Sequence, residues 1–284
     1  MAIDVAFVKQ FGSTLDLLVQ QKGARLRQGV RVESVTGEEA YFDQLSSTTA
    51  IQKVGRNTDT PLVKSEFARR RVTMYAWEWA DLIDKEDKLK MLVDPDSTIT
   101  QNAAFALGRA IDSAIISAFS GTAYTGKAGG TSTSFTAGNQ IAAASANMTL
   151  AKLTMAKKKL DAGNVGPDEP RYLACTASQV YAMLNISTFT SADYNTIRTL
   201  VNGEINSFVG FTFITTELLT LTSTTRTCLA WAKSGMLLAM GKDITTEITR
   251  RADKSYATQV YASMSIGATR MEEAKCVEIA CIES

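Results

Sequence analysis

The sequence contains no histidine. Histidine is the usual general base at neutral pH and the commonest metal ligand, so hydrolytic and metal chemistry lose their ordinary carrier. Cysteine is scarce. The four residues Cys175, Cys228, Cys276 and Cys281 form no C-x-x-C pair, which removes the usual zinc and redox spacings. Each lies in an apolar run, where a free thiol packs as a small hydrophobe. A surplus of one charge sign is also missing: 30 Lys and Arg oppose 29 Asp and Glu, for a net charge of +1. Dedicated nucleic-acid binders carry a basic excess or stripe. The balance therefore excludes a tight phosphate clamp but leaves passing contact with DNA open. No apolar run reads as long enough to span a bilayer. The opening Met1-Ala2-Ile3-Asp4-Val5-Ala6-Phe7 lacks the charged head and apolar body of a secretory signal. The expected setting is a reducing cytoplasm.

What is present is a core. Hydrophobic residues make up 45% of 284, enough for two domains or one elaborated one. The chain is organised around residues 94–121. Pro95 suits a first helical turn. Thr98 and Gln101 have capping-box spacing, so the helix starts at Asp94 or Thr98. Ile99, Ala103, Leu107, Ala110, Ile111, Ala114 and Ala118 recur at three- and four-residue steps, and Gly121 reads as a left-handed stop. Such a helix is about 35 Å long at ~1.5 Å per residue, more than a small domain can cover by itself.

Before this spine, residues 1–29 mix short apolar groups with a basic remainder. They read either as an arm lying on another surface or as a first helix docked on its own domain. Strand patterns over residues 30–35 and 40–42, and again over 68–79, flank a polar stretch from 44 to 61. Together they describe an extended hairpin, hard to stabilise alone. Arg69-Arg70-Arg71 opens the return strand. It reads as an inter-subunit ion-pair cluster, a phosphate contact or a solvated charge run. Residues 82–92 read as a short charged helix. Its carboxylates Asp81, Asp84, Glu86 and Asp87 are interspersed with Lys, as on a solvated face.

After the spine, Gly121-Thr122-Ala123-Tyr124-Thr125-Gly126-Lys127-Ala128 fits seven positions of a Walker A loop. The eighth must be Ser or Thr to ligate Mg²⁺, and the loop must follow a strand, whereas here the eighth is Ala128 and the loop follows a helix. Both conditions fail, so the segment is expected to be a flexible loop. Thr149 caps a helix from Leu150 to about Ala162, whose last turns carry Lys157-Lys158-Lys159, favoured there by the macrodipole. Residues 172–175 form a short buried strand. Thr176 and Gln179 open a further helix through Leu184. Strand patterns follow over 209–216, 226–231, 235–240, 243–249, 256–266 and 276–282. The class is α+β. No catalytic, cofactor-binding or metal-ligating residue emerges.

Arm, hairpin, spine helix, then a mixed domain is an order that resembles the major capsid proteins of tailed bacteriophages, the HK97-type fold. The most specific likeness is C-terminal. Gly203-Glu204-Ile205 before Val209-Gly210-Phe211-Thr212-Phe213 looks like the family's glycine, spacer and apolar-Gly-apolar strand. Gly235-Met236-Leu237-Leu238 looks like its next buried strand. The segments around Thr246-Glu247-Ile248, Val260-Tyr261-Ala262 and Ile266-Gly267-Ala268-Thr269-Arg270 resemble those that end such chains.

The resemblance implies an N-terminal arm over 1–29 and an extended hairpin loop (E-loop) over 30–80. It implies a peripheral domain over 81–148 holding the spine helix (94–121), completed by C-terminal strands from about 240 to 284, and an axial domain over 149–239. It implies no enzyme and no cofactor. The chain would form pentamers and hexamers of an icosahedral head around double-stranded DNA, touched by weak non-specific contact. A separate scaffolding protein is implied, because the arm begins within a few residues of Met1, and so are a portal and a decoration protein. Assembly is expected in the bacterial cytoplasm. Competing readings are an encapsulin-type nanocompartment shell, a tail or baseplate component, and an enzyme for which no nucleophile or base can be named.

Overall fold

The computed structural model describes residues 19–84, 96–186 and 207–283. A 3₁₀ turn at Leu26–Gly29 leads into β1 (Arg31–Ser34), β2 (Glu39–Leu45), β3 (Phe67–Thr73) and β4 (Tyr75–Ile83). Helix α1 (Asp96–Ser120) is followed by β5 (Ala123–Thr125), β6 (Thr131–Thr133) and β7 (Gln140–Ile141). Then come α2 (Leu150–Ala162), β8 (Arg171–Cys175), α3 (Ala177–Leu184), β9 (Ser207–Phe208), β10 (Phe211–Thr215), β11 (Leu221–Thr222) and β12 (Thr225–Ala232). The chain closes with β13 (Met236–Arg251), β14 (Ala257–Arg270) and β15 (Cys276–Ile282). Three sheets result, ordered β1-β13-β14-β4, β7-β15-β12-β8-β10-β9 with β11 on β12, and β2-β3-β5-β6. Packing divides the chain into two units, one drawn from Met1–Ala24, Ala76–Ala110 and Lys242–Ser265, the other from Arg25–Tyr75, Ile111–Gly241 and Ile266–Ser284.

In the first unit, α1 meets the incoming chain. Asn102 Oδ1 accepts from Gln20 Nε2 at 3.1 Å, and Arg109 Nη1 donates to Gln20 Oε1 at 2.7 Å and to the Gln21 carbonyl at 3.2 Å. Backbones touch at Gly108, where a Cβ would lie 2.6 Å from the Gly23 carbonyl carbon. So residues 20–24 lie along the chain's own helix. The ribbon of β13 and β14 beyond Gly241 is exposed along most of β13, including Ile248 and Tyr256 near its tip.

In the second unit the seven-stranded sheet carries the core. β12 runs antiparallel to β15 from Thr225↔Ile282 to Trp231↔Cys276 and antiparallel to β8, while β8 and β10 pair in parallel. Trp231 stacks on Tyr172 and meets Phe119 edge-on, both at 6.0 Å, and its Nε1 donates to the Gly29 carbonyl at 2.7 Å. Gly29 has no room for a side chain: a Cβ would approach Trp231, Tyr172 and Ile214 to 3.1–3.2 Å. Asp112 is fully buried and accepts from the backbone N–H groups of Arg25 at 2.9 Å and Leu26 at 3.0 Å.

Several expectations are corrected. The stretch 98–120 is long and apolar enough, by length and composition, to cross a membrane, with a mean hydropathy of 1.3. Its Ala103, Leu107, Ile111, Ile115 and Phe119 are buried within the protein, and it carries the buried Asp112, as a core helix does. Helix α1 does not start at Thr98, and Asp94 lies outside the described residues. Gly121 is not left-handed. It is required because a Cβ would meet the Ser117 carbonyl oxygen at 2.6 Å. Residues 121–133 form a hairpin, β5 and β6, turned by Gly126 and Gly129 at φ +91° and +63°. The short charged helix expected over 82–92 begins instead as the end of β4, and residues 85–92 lie outside the described set. Val209 and Gly210, both at positive φ, turn β9 into β10. The two strands expected over 235–249 are one, β13.

β15 pairs along its whole length with β12, and its alternate residues Val277, Ile279 and Cys281, together with Cys276, are buried.

Candidate assembly surfaces

The hairpin is narrower at its root and barer at its tip than the sequence implies. β2 and β3 pair from Glu39↔Thr73 to Leu45↔Phe67, and Ser46 N–H extends the ladder to the Glu66 carbonyl at 2.9 Å. β1 leaves for β13 in parallel, and β4 joins the sheet of β14. Every residue from 45 to 68 is exposed. The tip is not simply polar. Leu45, Ile51, Val54, Leu62, Val63 and Phe67 are all exposed, Val54 at 94% and Leu62 at 91%. Apolar surface displayed on an isolated projection is the mark of a surface awaiting a partner.

Alternation along β3 sorts the three arginines. Arg69 and Arg71 face outward. Arg69 pairs with Asp43 at 2.6 Å, and Arg71 pairs with Glu39 at 3.2 Å and lies over the Tyr124 ring at 4.7 Å. Arg70 faces inward and is buried, bound to the Met271 carbonyl at 2.9 Å and to Glu273 at 2.5 Å. All three are engaged within the chain, so the run is neither a solvated stripe nor an open phosphate site. The hydrogen bond from Arg69 depresses Asp43 below the usual carboxylate range.

A second carboxylate is more strongly perturbed. Glu283 receives Arg226 Nε and Nη2 at 3.0 Å each, Gln179 Nε2 at 2.9 Å and Thr176 Oγ1 at 2.9 Å. The bidentate Arg226 contact leads in holding its pKa down to about 2. Lys152 is buried and donates to the carbonyls of Ala146 and Ala280 at 2.7 and 2.8 Å, and burial lowers its pKa.

No catalytic constellation comes together among the described residues. The four cysteines are free and buried. Burial pushes Cys175 up to about 12 and raises Cys276, while the hydrogen bond that Cys228 donates to Cys281, with burial, raises Cys228 and lowers Cys281. The raised thiols are poor nucleophiles. The described residues contain no group of three or more Cys, Asp or Glu placed to hold a metal. The Walker-like segment opens no helix, and the Lys127 carbonyl accepts from Arg69 instead. Asp81 and Asp84 are exposed; Glu86 and Asp87 lie outside the described residues. An open groove beside α3 is lined by Arg25, Val180, Tyr181, Leu184, Thr216 and Glu217, and the Thr216 hydroxyl there accepts from the Leu218 N–H at 3.3 Å.

The model of a family described as phage capsid protein matches residues 3–283. The chain belongs to the phage capsid protein family. Solved capsids share its fold. The capsid of the cyanophage P-SCSP1u is 17% identical at a TM-score of 0.74, covering 100% of this chain and 95% of that one. The capsid of Ralstonia phage GP4 is 10% identical at 0.78, covering 98% and 96%. The acid-stable capsid of Helicobacter pylori bacteriophage KHP30 is 11% identical at 0.73, covering 99% and 96%. No curated protein sequence matches the chain. The capsid protein is a structural unit of an icosahedral shell in the virion, not an enzyme, and its mixed α+β, HK97-like architecture agrees with these likenesses. The nanocompartment and tail or baseplate readings are not favoured.

Proposed function

We propose that this chain is the repeating unit of pentamers and hexamers in a phage head enclosing double-stranded DNA, and that the hairpin over residues 39–73 is the finger by which each copy holds its neighbours. The observation that carries the reading is the uninterrupted exposure of residues 45–68, apolar side chains included. A projection of that length has nothing to pack on in its own chain and much to gain from a second copy. Closed rings follow when unlike surfaces of identical chains meet repeatedly.

In this reading residues 1–29 are the arm, α1 is the spine of the peripheral domain, and the sheet around β8, β10 and β12 is the axial domain, with β15 added to it. The near-neutral charge of +1 suits weak, non-specific contact with packaged DNA. A scaffolding protein, a portal and a decoration protein complete the partners, and assembly takes place in the bacterial cytoplasm.

Electron microscopy of the expressed chain, alone and with candidate scaffolding proteins, tests the reading. Rings of five and six copies and closed shells are the expected products. A chain that remains a single molecule at every concentration and with every helper would overturn it.

A further inference from the structure

Two buried guanidinium groups share one carboxylate at the root of the hairpin. Arg70 Nη2 reaches Glu273 Oε2 at 2.5 Å, and Arg270 Nε reaches Glu273 Oε1 at 3.3 Å. Arg270 is fully buried and otherwise anchored in backbone. It donates to the Phe119 carbonyl at the end of α1, to Gly121 at 2.9 Å and to Thr133 at 3.3 Å. Arg70 is held less completely. Beyond Glu273 it has the Met271 carbonyl, and its buried Nη1 has no partner. Gln44, on the paired strand, donates to the same Met271 carbonyl at 2.8 Å.

The asymmetry matters. Arg270 keeps three carbonyl partners if Glu273 is lost. Arg70 keeps one, inside a cluster that then holds two buried positive charges and no negative one. Uncompensated buried charge is strongly unfavourable, so the pairing that gives way is the one between Arg70 and the turn at 270–273. What remains at the root is the Gln44 bond, the Arg69 contact to the Lys127 carbonyl, a two-residue pairing of β3 with β5, Arg70↔Thr125 and Arg71↔Tyr124, and the packing of Phe42 and Val72 against Leu237, Ala239 and Met271.

We propose that Glu273 is a latch that fixes the direction of the β2–β3 hairpin, and that its release frees the hairpin as a unit without unfolding the seven-stranded sheet. The consequence for a shell rests on the finger reading above. Identical chains in rings of five and six meet their neighbours at different angles, and a finger hinged at a releasable root serves both where a rigid one serves only one.

Hydrogen exchange on the unassembled full-length chain tests the latch apart from the shell. In Glu273→Gln, amides across β2 and β3 should exchange at least roughly tenfold faster while β12 and β15 keep their wild-type protection, the pattern of a local opening. Arg70→Lys, which keeps the charge but loses the fork, should show the same pattern and replaces the first variant if that one does not fold. Unchanged exchange across β2 and β3 would overturn the proposal. So would equal acceleration in β12 and β15, since Glu273 would then be a keystone of the whole fold. Whether wild-type chain forms rings and shells is read separately by microscopy, so failure of the finger reading and failure of the latch give different results.

Discussion

The carboxylate of Asp112, midway along α1, holds the backbone N–H of Leu26 at 3.0 Å, and Leu26 is wholly buried. The second oxygen takes Arg25 N–H at 2.9 Å. One side chain thereby satisfies two donors where the chain enters its 3₁₀ turn. Asp112→Ala leaves the buried Leu26 N–H and the part-buried Arg25 N–H without their acceptor and should lower stability by about 1–3 kcal/mol. Urea unfolding of the unassembled chain measures this; an unchanged midpoint would contradict it.

Glu283 makes acid sensitivity a sequence-specific property. Its folded pKa lies near 2 against a usual 4.5. A depressed carboxylate contributes stability that is fully present above its unfolded value and is lost as pH falls through the folded one. The window is therefore from about pH 4.5 down to about pH 2, and the contribution approaches 3 kcal/mol as an upper figure. Glu283→Gln should be less stable at pH 7 and lose much of this pH dependence. Unfolding midpoints at pH 7, 4 and 3 test the sign.

Gly108 allows two backbones to touch. In Gly108→Val the added side chain meets Gly23 and Ala24 backbone at under 3 Å. Residues 20–24 should lift from the helix, and trypsin should cut at Lys22 markedly faster than in the wild type. Equal cleavage rates would show that the segment does not depend on this contact.

Replacing residues 47–65 by an Asn-Gly turn should leave a soluble chain with an unaltered unfolding midpoint and abolish shells under the microscope. The deletion spares Gln44, whose bond to Met271 belongs to the root. Robust shells without the tip would remove the finger from the assembly.

Thiol titration gives an independent check on the core. The native chain should leave all four cysteines unreacted with an aromatic disulfide reagent and yield all four once unfolded, because each is buried. Rapid reaction of any one in the native chain would place it at the surface instead.

Elements whose determinants are local were legible in the sequence. Thr149, as expected, caps α2 by accepting from Lys152 N–H, and Gln179 closes back on Thr176 at the start of α3. β15 occupies 276–282 as the alternation implies. What the sequence concealed was decided by distant chain. Hydrophobic periodicity reports burial and not backbone, so β13 read as two strands where an apolar half passes into an exposed one. Arg70, Arg270 and Lys152 carry charges that suggest water. They are buried because helix ends and loops present carbonyl groups that need donors. Gly108 serves a crossing partner more than eighty residues earlier, which spacing within a helix does not reveal. Gly203-Glu204-Ile205, part of the family likeness, lies outside the described residues.

β15 lies between β7 and β12, one strand in from the edge of its sheet, yet it is made after every strand around it. Until residues 276–282 clear the ribosome, β12 presents an open edge of the sort that pairs with the wrong chain. A copy lacking residues 276–282 would leave β12 unpaired along that edge and take Val277, Ile279 and Cys281 out of the buried core, so losing this last strand should cost the sheet its packing and not merely trim a tail.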